Sequence, residues 1–449
     1  MTSRDGYSVG LTRGRLTRRV VDRPAGVWWL SPPGAIAFVV PVTLGLAAYY
    51  SPADFRTYFR TPKSLTSGTA ALFAVGGFAL TLGALVAQSG TRQPTRPGRW
   101  PWLEEPQLAV LRRSSTVLYR VTLIGYLSFV LAAARNGVRA ADVVSAVLRQ
   151  NVASGRLEAQ IGTVPGITTL TQVGIAWAVV ATLVAVHRPD RRDGARAVVL
   201  GVITLLRAYL LTERLAVIEV AVPIIVVVLL RASQSPSSLR RAMVRVAPVP
   251  LVALLLLGFA ASEYSRSYQF YKTRTNDGLL VFSAKRLSGY YATAYNNGQL
   301  LLTHEHYVGR LPFDTVQALW TAPGISQLHT YDRLTGRDQG QDYNDILNTY
   351  GNPEFNNPGG LAAPFVDYGQ YGGLLALFCA GLATGLGYRA FVNGRVLALL
   401  LYPLVVTGLF ELPRFLYWTL GRTVPAVVAL LLVDRAVTRS RRRLPALGA

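Results

Sequence analysis

The chain has 449 residues, of which 51% are hydrophobic and only 15% are charged. Apolar stretches of about 16–21 residues recur along it, long enough to cross a hydrocarbon core of about 30 Å. In lipid every backbone polar group must be paired internally, so these stretches predict helices. The sequence therefore predicts an all-α polytopic membrane protein rather than a water-soluble enzyme.

The formal net charge of +23 would indicate nucleic-acid binding in a soluble protein. Here most arginines lie in short segments between apolar stretches, where basic residues orient the spans. We therefore expect no nucleic acid as a partner. The basic residues are nearly all arginine, which together with abundant Ala and Val indicates a GC-rich bacterial genome. Cys379, the only cysteine, lies in an apolar stretch, so the sequence predicts neither a disulfide framework nor a cysteine-based metal site.

We predict about ten transmembrane helices. The arginine-rich N-terminus resembles a signal peptide, but we expect no cleavage because a full set of spans follows it. Between the third and fourth spans, Val138 to Gly162 is amphipathic and predicts a segment on the membrane surface. The predicted spans cover about residues 34–50, 68–88, 116–134, 166–186, 197–211, 214–230, 247–262, 373–391, 395–411 and 417–434.

The distribution of arginines orients these spans. Segments such as those around Arg112, Arg191 and Arg240 alternate with poorly charged ones, and arginine clusters mark the cytoplasmic side. This alternation predicts that both termini are cytoplasmic, in the plasma (inner) membrane of a bacterium. Residues 1–449 then form one polytopic domain, and residues 263–372 form a large extracytoplasmic loop between spans seven and eight.

The loop at residues 263–372 and an upstream hairpin hold most of the polar groups available for chemistry. Within the loop, Ser283 to Leu302 has helical periodicity and predicts a helix lying along the membrane. Upstream, the block between Arg196 and Arg231 is apolar except for four charges, which predicts a tight hairpin of two short spans. The hairpin tip is predicted to face the same side as the loop. The four charges are Arg207, Glu213, Arg214 and Glu219.

Arginines near the hairpin tip and in the loop are candidates for binding a pyrophosphate. Charged groups at membrane depth are costly and therefore indicate function, and guanidinium groups bind phosphate in a fork. Internal pairing with Glu213 and Glu219 is the alternative for the hairpin arginines, and plain solvation is the alternative for those of the loop. The candidates are Arg207, Arg214, Arg286, Arg333 and Arg337.

Four carboxylates near the end of the loop are candidates for a general base. A carboxylate can deprotonate a sugar hydroxyl as the hydroxyl oxygen attacks an activated carbon. For Asp342 the alternative is a favourable charge at a helix N-terminus. We predict no metal site, because the acids lack a reliable ligand spacing. His304 and His306, which flank Glu305, could serve as bases or simply face solvent. The candidate acids are Asp342, Asp345, Glu354 and Asp367.

Aromatic side chains of the loop are candidates for sugar binding. Their apolar faces could stack on sugar rings, and anchoring at the membrane interface explains them equally well. The candidates are Tyr290, Tyr291, Tyr295 and Tyr331.

The last part of the loop resembles the final outer segment of the Wzy-type O-antigen and capsule polymerases, which join oligosaccharide repeat units. In that family an Asp-aromatic-Gly-x-x-Gly element opens the span that follows the large outer loop. Here Asp367-Tyr368-Gly369 and Gly372 match it. The hairpin with its arginines and the segment Pro165 to Leu170 are also similar to the family.

The resemblance implies a glycosyltransferase that uses polyprenyl pyrophosphate as the leaving group. A glycan chain would be transferred from this lipid carrier to a sugar hydroxyl of a second lipid-linked repeat unit at the outer face. No cofactor is implied. The implied partners are the lipid-linked oligosaccharide donor and acceptor, membrane lipid, and chain-length regulator or flippase proteins.

Other interpretations remain open at this stage. An O-antigen ligase or another lipid-carrier glycosyltransferase differs mainly in its acceptor, although the first outer loop offers only Asp54 where polyprenyl-phosphate-sugar enzymes often carry several acids. A transporter of lipid-linked glycans would fit ten spans with buried charges, but we find no paired broken helices in two related halves. A non-catalytic scaffold would not require arginines at membrane depth.

Overall fold

A computed structural model shows the architecture. It describes residues 27–89, 103–139, 141–144, 161–164, 166–211, 213, 215–264, 268, 272, 276–305, 311–322, 324–336 and 339–442. Over these ranges the chain is helical with connecting loops and contains no strand, which confirms the predicted all-α class.

We number sixteen α-helices of the described ranges in chain order. They are α1 (Pro32–Tyr49), α2 (Pro52–Tyr58), α3 (Ser67–Ser89), α4 (Glu105–Arg135), α5 (Val173–His187), α6 (Arg191–Leu210), α7 (Leu215–Ser233), α8 (Ser238–Val246), α9 (Pro248–Glu263), α10 (Leu279–His304), α11 (Gln317–Trp320), α12 (Thr330–Thr335), α13 (Gln339–Tyr350), α14 (Ala363–Val392), α15 (Val396–Glu411) and α16 (Val424–Arg442).

A helix occupies each of the ten predicted span positions, but not all of these helices are long and apolar enough to cross a membrane. Among the described residues, six pass: α1, α3, α4, α5 with the 3-10 turn before it, α7 and α14. The pair α8 and α9, bent by 50°, would be a seventh. Helix α15 is apolar but short, and α6 and α16 carry several charged residues. The count of ten spans therefore stays a prediction.

Contacts between helix termini define two ends of the helical bundle. At one end, which we call the opposite end, Arg188 after α5 pairs with Glu105 at the start of α4. There the Trp29 indole also donates to the Val244 carbonyl of α8. The other end, which we call the ion-pair end, holds the C-terminus of α6 beside the N-terminus of α5, and the N-termini of α7 and α16 beside each other. Helices α4, α5 and α6, which follow one another in the chain, thus alternate in direction. This is expected for successive helices that cross a membrane.

Helix α5 is the central helix of the bundle. It is buried over 78% of its span, whereas the other five spans are buried over 28–39%. Its small and β-branched side chains, including Ala176, Val179, Val180 and Val184, are fully buried against α4, α7 and α16. A helix that is apolar on all sides can be surrounded by other helices in this way.

Helices α3 and α14 run parallel and in close contact. A Cβ atom added to Gly381 would lie 2.0 Å from the Leu80 carbonyl oxygen, and one added to Gly83 would lie 2.1 Å from the Phe378 carbonyl oxygen. Small residues at such positions let helix backbones approach closely in membranes. This packing fixes the start of α14, and with it the residues of the Asp367 to Gly372 element.

The predicted helix at Ser283 to Leu302 is confirmed as α10, which is longer at both ends. It packs along α1, where the Tyr295 hydroxyl lies 3.0 Å from the Thr43 hydroxyl and the Ser288 hydroxyl lies 2.6 Å from that of Tyr50. The polar part of the chain is therefore anchored to the apolar bundle through this helix.

Several predictions fall outside the described residues. They are the arginine-rich N-terminus, most of Val138 to Gly162, Pro165, Arg214, His306 and Arg337.

Candidate functional site

The ion-pair end carries buried arginines, each matched with glutamate. Arg286 of α10 is 6% exposed, and its Nη2 donates to Glu354 Oε1 over 2.5 Å. Its Nε lies 3.6 Å from Glu263 Oε2 at the end of α9, and its guanidinium lies 4.9 Å from the ring centre of Phe355. Arg60 also pairs with Glu354. Two guanidiniums and two carboxylates thus neutralise each other, which is how buried charges are normally accommodated.

Glu354 is therefore an ion-paired carboxylate. Burial by itself would raise the pKa of the Glu354 carboxyl, but the charges of Arg286 and Arg60 outweigh burial and hold the pKa below its usual value. A carboxylate stabilised in this way accepts a proton poorly. The geometry thus disfavours the predicted role of Glu354 as a general base and favours a role in holding Arg286.

A second pair lies in the loop between α15 and α16. Arg414 Nη1 donates to Glu411 Oε2 over 2.8 Å, and the guanidinium lies 5.9 Å from the ring centre of Tyr290 and 5.2 Å from that of Phe415. Arg414 Nε is buried and has no hydrogen-bond partner within the described part of the chain. The backbone N–H of Gly359 donates to the Arg414 carbonyl oxygen, which ties this loop to the end of the polar insert.

The hairpin charges separate into two pairs. Arg207 donates to Thr171 Oγ1 over 2.8 Å and to Glu213 Oε2 over 2.5 Å. From the sequence, the alternative to pyrophosphate binding by Arg207 is pairing with a glutamate. The pair with Glu213 agrees with that alternative. Glu219 Oε2 accepts from Arg422 Nη2 over 3.0 Å, and Arg422 Nε lies 2.9 Å from Glu219 Oε1. The described ion pair of Glu219 thus joins residues 203 apart in sequence, whereas a pair with Arg214 lies outside the described residues.

Asp367 anchors the polar insert to the start of α14. Its carboxylate is 3% exposed and accepts from the backbone N–H groups of Phe313, Asp314 and Thr315 at 2.9, 3.3 and 2.7 Å. The Thr315 hydroxyl also donates to it over 2.5 Å. Because four donors already occupy its carboxylate oxygens, Asp367 fits a positioning role better than the predicted role of a base.

The glycine after this acid breaks α14. Gly369 has φ 70° and ψ −174°, which is not helical. Only glycine reaches such a positive φ readily, so the Asp-aromatic-Gly sequence ends a short helical turn and redirects the chain into the long part of α14. The break leaves Asp367 on the turn that faces the insert.

Next to Asp367 lies a carboxyl that the sequence analysis missed, Asp314. Burial, and then the negative charge of Asp367, raise the pKa of Asp314 to about 7. Within the described residues no donor contacts its carboxylate, while its carbonyl oxygen accepts from the Thr419 hydroxyl over 2.7 Å. Asp314 lines a small recess together with Gln317, Pro358, Gly359, Ala363, Phe415, Leu416, Thr419 and Leu420. A carboxyl that titrates near neutral pH beside a recess is suited to acid–base chemistry.

Asp342 and Asp345 lie on α13. Asp342 is in the first turn of the helix, where a negative charge is favourable. This position agrees with the alternative to a general base that the sequence analysis gave for Asp342. Asp345, three residues later, is exposed. Helix α13 packs on α10 through Ile346. Neither acid is among the residues that line the recess beside Pro358 and Phe415.

The four tyrosine candidates differ in accessibility. Tyr295 is 1% and Tyr331 is 4% exposed. The Tyr331 ring packs edge-on against those of Phe313 and Trp320. Neither buried ring has a face free for a sugar, so stacking is not a role these two can have. Tyr290 and Tyr291 are half-buried beside the Arg414 loop.

Other aromatic rings are more open than the predicted ones. Tyr371 is 88% and Tyr368 is 39% exposed, both next to the break at Gly369. His304 stacks on Tyr350 at 4.0 Å. Arg333 is exposed on α12. Within the described ranges, no group of three His, Cys, Asp or Glu side chains is arranged to hold a metal ion.

The charged residues of the α15–α16 connection were not selected from the sequence, although their positions in the sequence mark them as candidates. Glu411 is the last residue of the predicted ninth span, Arg414 lies in the short gap after it, and Arg422 lies inside the predicted tenth span. The membrane-depth argument that identified Arg207 applies equally to them. Asp314 carried no such signal, because its pKa depends on a residue 53 positions away.

Comparisons with models of protein families, with curated proteins and with solved structures found no match. The family resemblance is therefore carried by the motif residues of the sequence alone.

Proposed function

We propose that this protein is a membrane glycosyltransferase, a polysaccharide polymerase that joins oligosaccharide repeat units carried on polyprenyl pyrophosphate. The observation that supports this proposal best is the recess at the ion-pair end. It has a carboxyl that titrates near neutral pH, Asp314, on one side, and on the other the loop that follows Arg414. A transfer reaction of this class needs a proton acceptor and positive charge at the leaving group.

Asp314 is the proposed base. The hydroxyl oxygen of the acceptor sugar attacks the anomeric carbon of the donor glycan, and the bond from that carbon to the pyrophosphate oxygen breaks. The hydroxyl proton passes to the Asp314 carboxylate. The polyprenyl pyrophosphate leaves with the electron pair of the broken bond. Asp367 holds the backbone of Asp314 and keeps its pKa high, which fits a base working near neutral pH.

Arg414 is the proposed pyrophosphate ligand. Its Nη1 donates to Glu411 and its Nη2 lies 3.5 Å from Asn357 Oδ1, while its buried Nε has no hydrogen bond within the described part of the chain. The side chain is 20% exposed. Phe415, the next residue, lines the recess. A guanidinium can bind two phosphate oxygens in a fork, and charge placed where the leaving group develops negative charge lowers the barrier. Arg286 and Arg207 lie closer to their carboxylate partners, at 2.5 Å each, and are assigned a structural role.

The finer topology belongs to the same proposal. Ten spans with cytoplasmic termini would put the ion-pair end at the outer face of a bacterial plasma membrane, where the lipid-linked repeat units are joined. Chain-length regulator or flippase proteins would then meet the chain in that membrane.

The test is an assay with purified full-length protein and a lipid-linked oligosaccharide, with products separated by length. A ladder of products supports a polymerase, and a single addition supports a ligase-like transferase. No product from folded protein would contradict both and favour a transporter.

Asp314→Asn should lower the rate of this reaction about a hundredfold, the lower limit for loss of a general base. The matched control is Asp332→Asn, which removes a half-buried carboxylate of α12 that pairs with His329. An unchanged rate in Asp314→Asn would remove Asp314 from the mechanism.

A further inference from the structure

Helix α8, at the opposite end of the bundle, is not used by the proposed function. It has nine residues and meets α9 at a bend of 50°. The Val244 carbonyl accepts from the Trp29 indole over 3.1 Å, and Val244 is 2% exposed. One side of α8 is therefore fixed to the bundle, close to the start of α1.

A second side of α8 is apolar and faces away from the protein. Leu239, Met243 and Val246 are 69%, 61% and 58% exposed. Their spacing of four and three residues puts them on one face of the helix. The exposed apolar surface continues beyond the bend, where Val249 of α9 is 74% exposed.

The remaining surface of α8 is basic. Arg240, Arg241 and Arg245 are all exposed. Arg241 Nη1 donates to the Ser235 and Pro236 carbonyl oxygens over 2.8 and 2.9 Å, which fixes the start of the helix. Helix α8 contains no acidic residue. An apolar face bordered by arginines is the arrangement of helices that lie in the headgroup region of a bilayer.

We propose that α8 is a binding site for anionic phospholipid. Leu239, Met243 and Val246 enter the boundary between headgroups and acyl chains, while Arg240 and Arg245 contact the phosphates of the headgroups. Two observations select a lipid as the occupant. The apolar face is continuous with the exposed side of the apolar helix α9, and the charge of α8 is complementary to an anionic headgroup. This proposal is independent of the proposed enzymatic function.

The first test compares full-length protein in phosphatidylcholine nanodiscs with and without phosphatidylglycerol. Retained phosphatidylglycerol is measured by native mass spectrometry. Arg240→Gln with Arg245→Gln should weaken retention about fivefold for each arginine, because a basic residue near an anionic surface contributes about 1 kcal/mol. Arg240→Lys with Arg245→Lys should retain the lipid, since the positive charge is kept.

The matched control is Arg191→Gln with Arg192→Gln in the first turn of α6. These arginines are exposed as well, but the carboxylate of Asp190 caps the same helix turn and offsets part of their charge. Retention in this control should change less than twofold. Equal losses in the two double variants, or no loss in the α8 variant, would overturn the proposal.

A second measurement reports on the apolar face directly. In a Cys379→Ser background, Leu239→Cys is labelled with an environment-sensitive fluorophore in vesicles that contain brominated lipid. Quenching by the brominated lipid is expected, because Leu239 would lie among the acyl chains. A label that stays unquenched would show that α8 does not enter the bilayer surface.

Discussion

The two ends of the helical bundle use the same residue type in different ways. At the ion-pair end, Arg286 and Arg414 are mostly buried, and each pairs with a glutamate of another turn or helix. At the opposite end, Arg191 and Arg240 are exposed. A buried arginine requires a partner, because an isolated charge in a low-dielectric region is costly, whereas an exposed one needs only water or a lipid headgroup. The environment of an arginine, more than its presence, therefore indicates its role.

The largest loss of stability is expected when Arg414 at the ion-pair end is replaced. Arg414→Ala leaves the Glu411 carboxylate, whose side chain is 5% exposed, without its guanidinium. Removing one partner of a buried pair costs about 3–5 kcal/mol. We expect this loss of stability in thermal unfolding of the protein in detergent. Arg414→Met with Glu411→Leu should recover most of it, since both charges are then gone, and failure to recover would mean that the pair is not the source of the loss.

The next effect concerns the anchoring carboxylate. Asp367→Ala removes the acceptor for three backbone N–H groups and the Thr315 hydroxyl. Leaving buried donors unpaired costs about 1–3 kcal/mol. Limited proteolysis between residues 311 and 322 should become faster, and product formation should fall with it. Thr315→Val removes only one of the four donors and should have a smaller effect on both measurements.

The pH dependence of the reaction follows from Asp314. Burial and Asp367 raise the pKa of Asp314 to about 7, and a general base works only when ionised. The rate should therefore fall about tenfold for each pH unit below about 7. Asp367→Asn removes the neighbouring negative charge. The fall in rate should then begin at a lower pH. A rate that is constant between pH 5 and 7 would contradict the assignment of the base.

The contribution of Asp314 to folding stability should depend on pH in the opposite sense to the reaction rate. Because the pKa of Asp314 is higher in the folded chain than in the unfolded one, its contribution to stability is greatest at low pH and is lost as pH rises towards about 7. Asp314→Asn should therefore stabilise the protein above pH 7 and have little effect near pH 4. Thermal unfolding at these two pH values is the measurement.

The smallest effect is expected at the opposite end. Arg191→Gln changes an exposed residue that has no hydrogen bond from its guanidinium to other described residues. Such changes usually alter stability by less than about 0.5 kcal/mol. Unfolding in detergent should be unchanged. A loss as large as that of Arg414→Ala would show that the two ends do not differ in the way their burial indicates.

The sequence predicted helices better than it predicted the site. The positions of the long apolar helices, and of α10 within the polar insert, could be predicted because membrane-length apolar stretches and helical periodicity are local properties. Arg207 was identified from its depth and Asp367 from its motif. Asp314 and Arg414 were not, and Tyr295 was placed with the sugar ligands although it is buried against Thr43.

The sequence alone was enough to predict the all-helical class seen in the described residues, with several helices able to cross a membrane, and a helix within the polar insert. Tertiary structure decided which charges meet. Arg286 pairs with Glu354 across 68 residues and Arg422 with Glu219 across 203. It also decided that Asp367 is an anchor while Asp314 titrates near neutral pH. Pairing energies and pKa values depend on burial and on charges nearby in space, and a linear pattern of residues does not contain those distances.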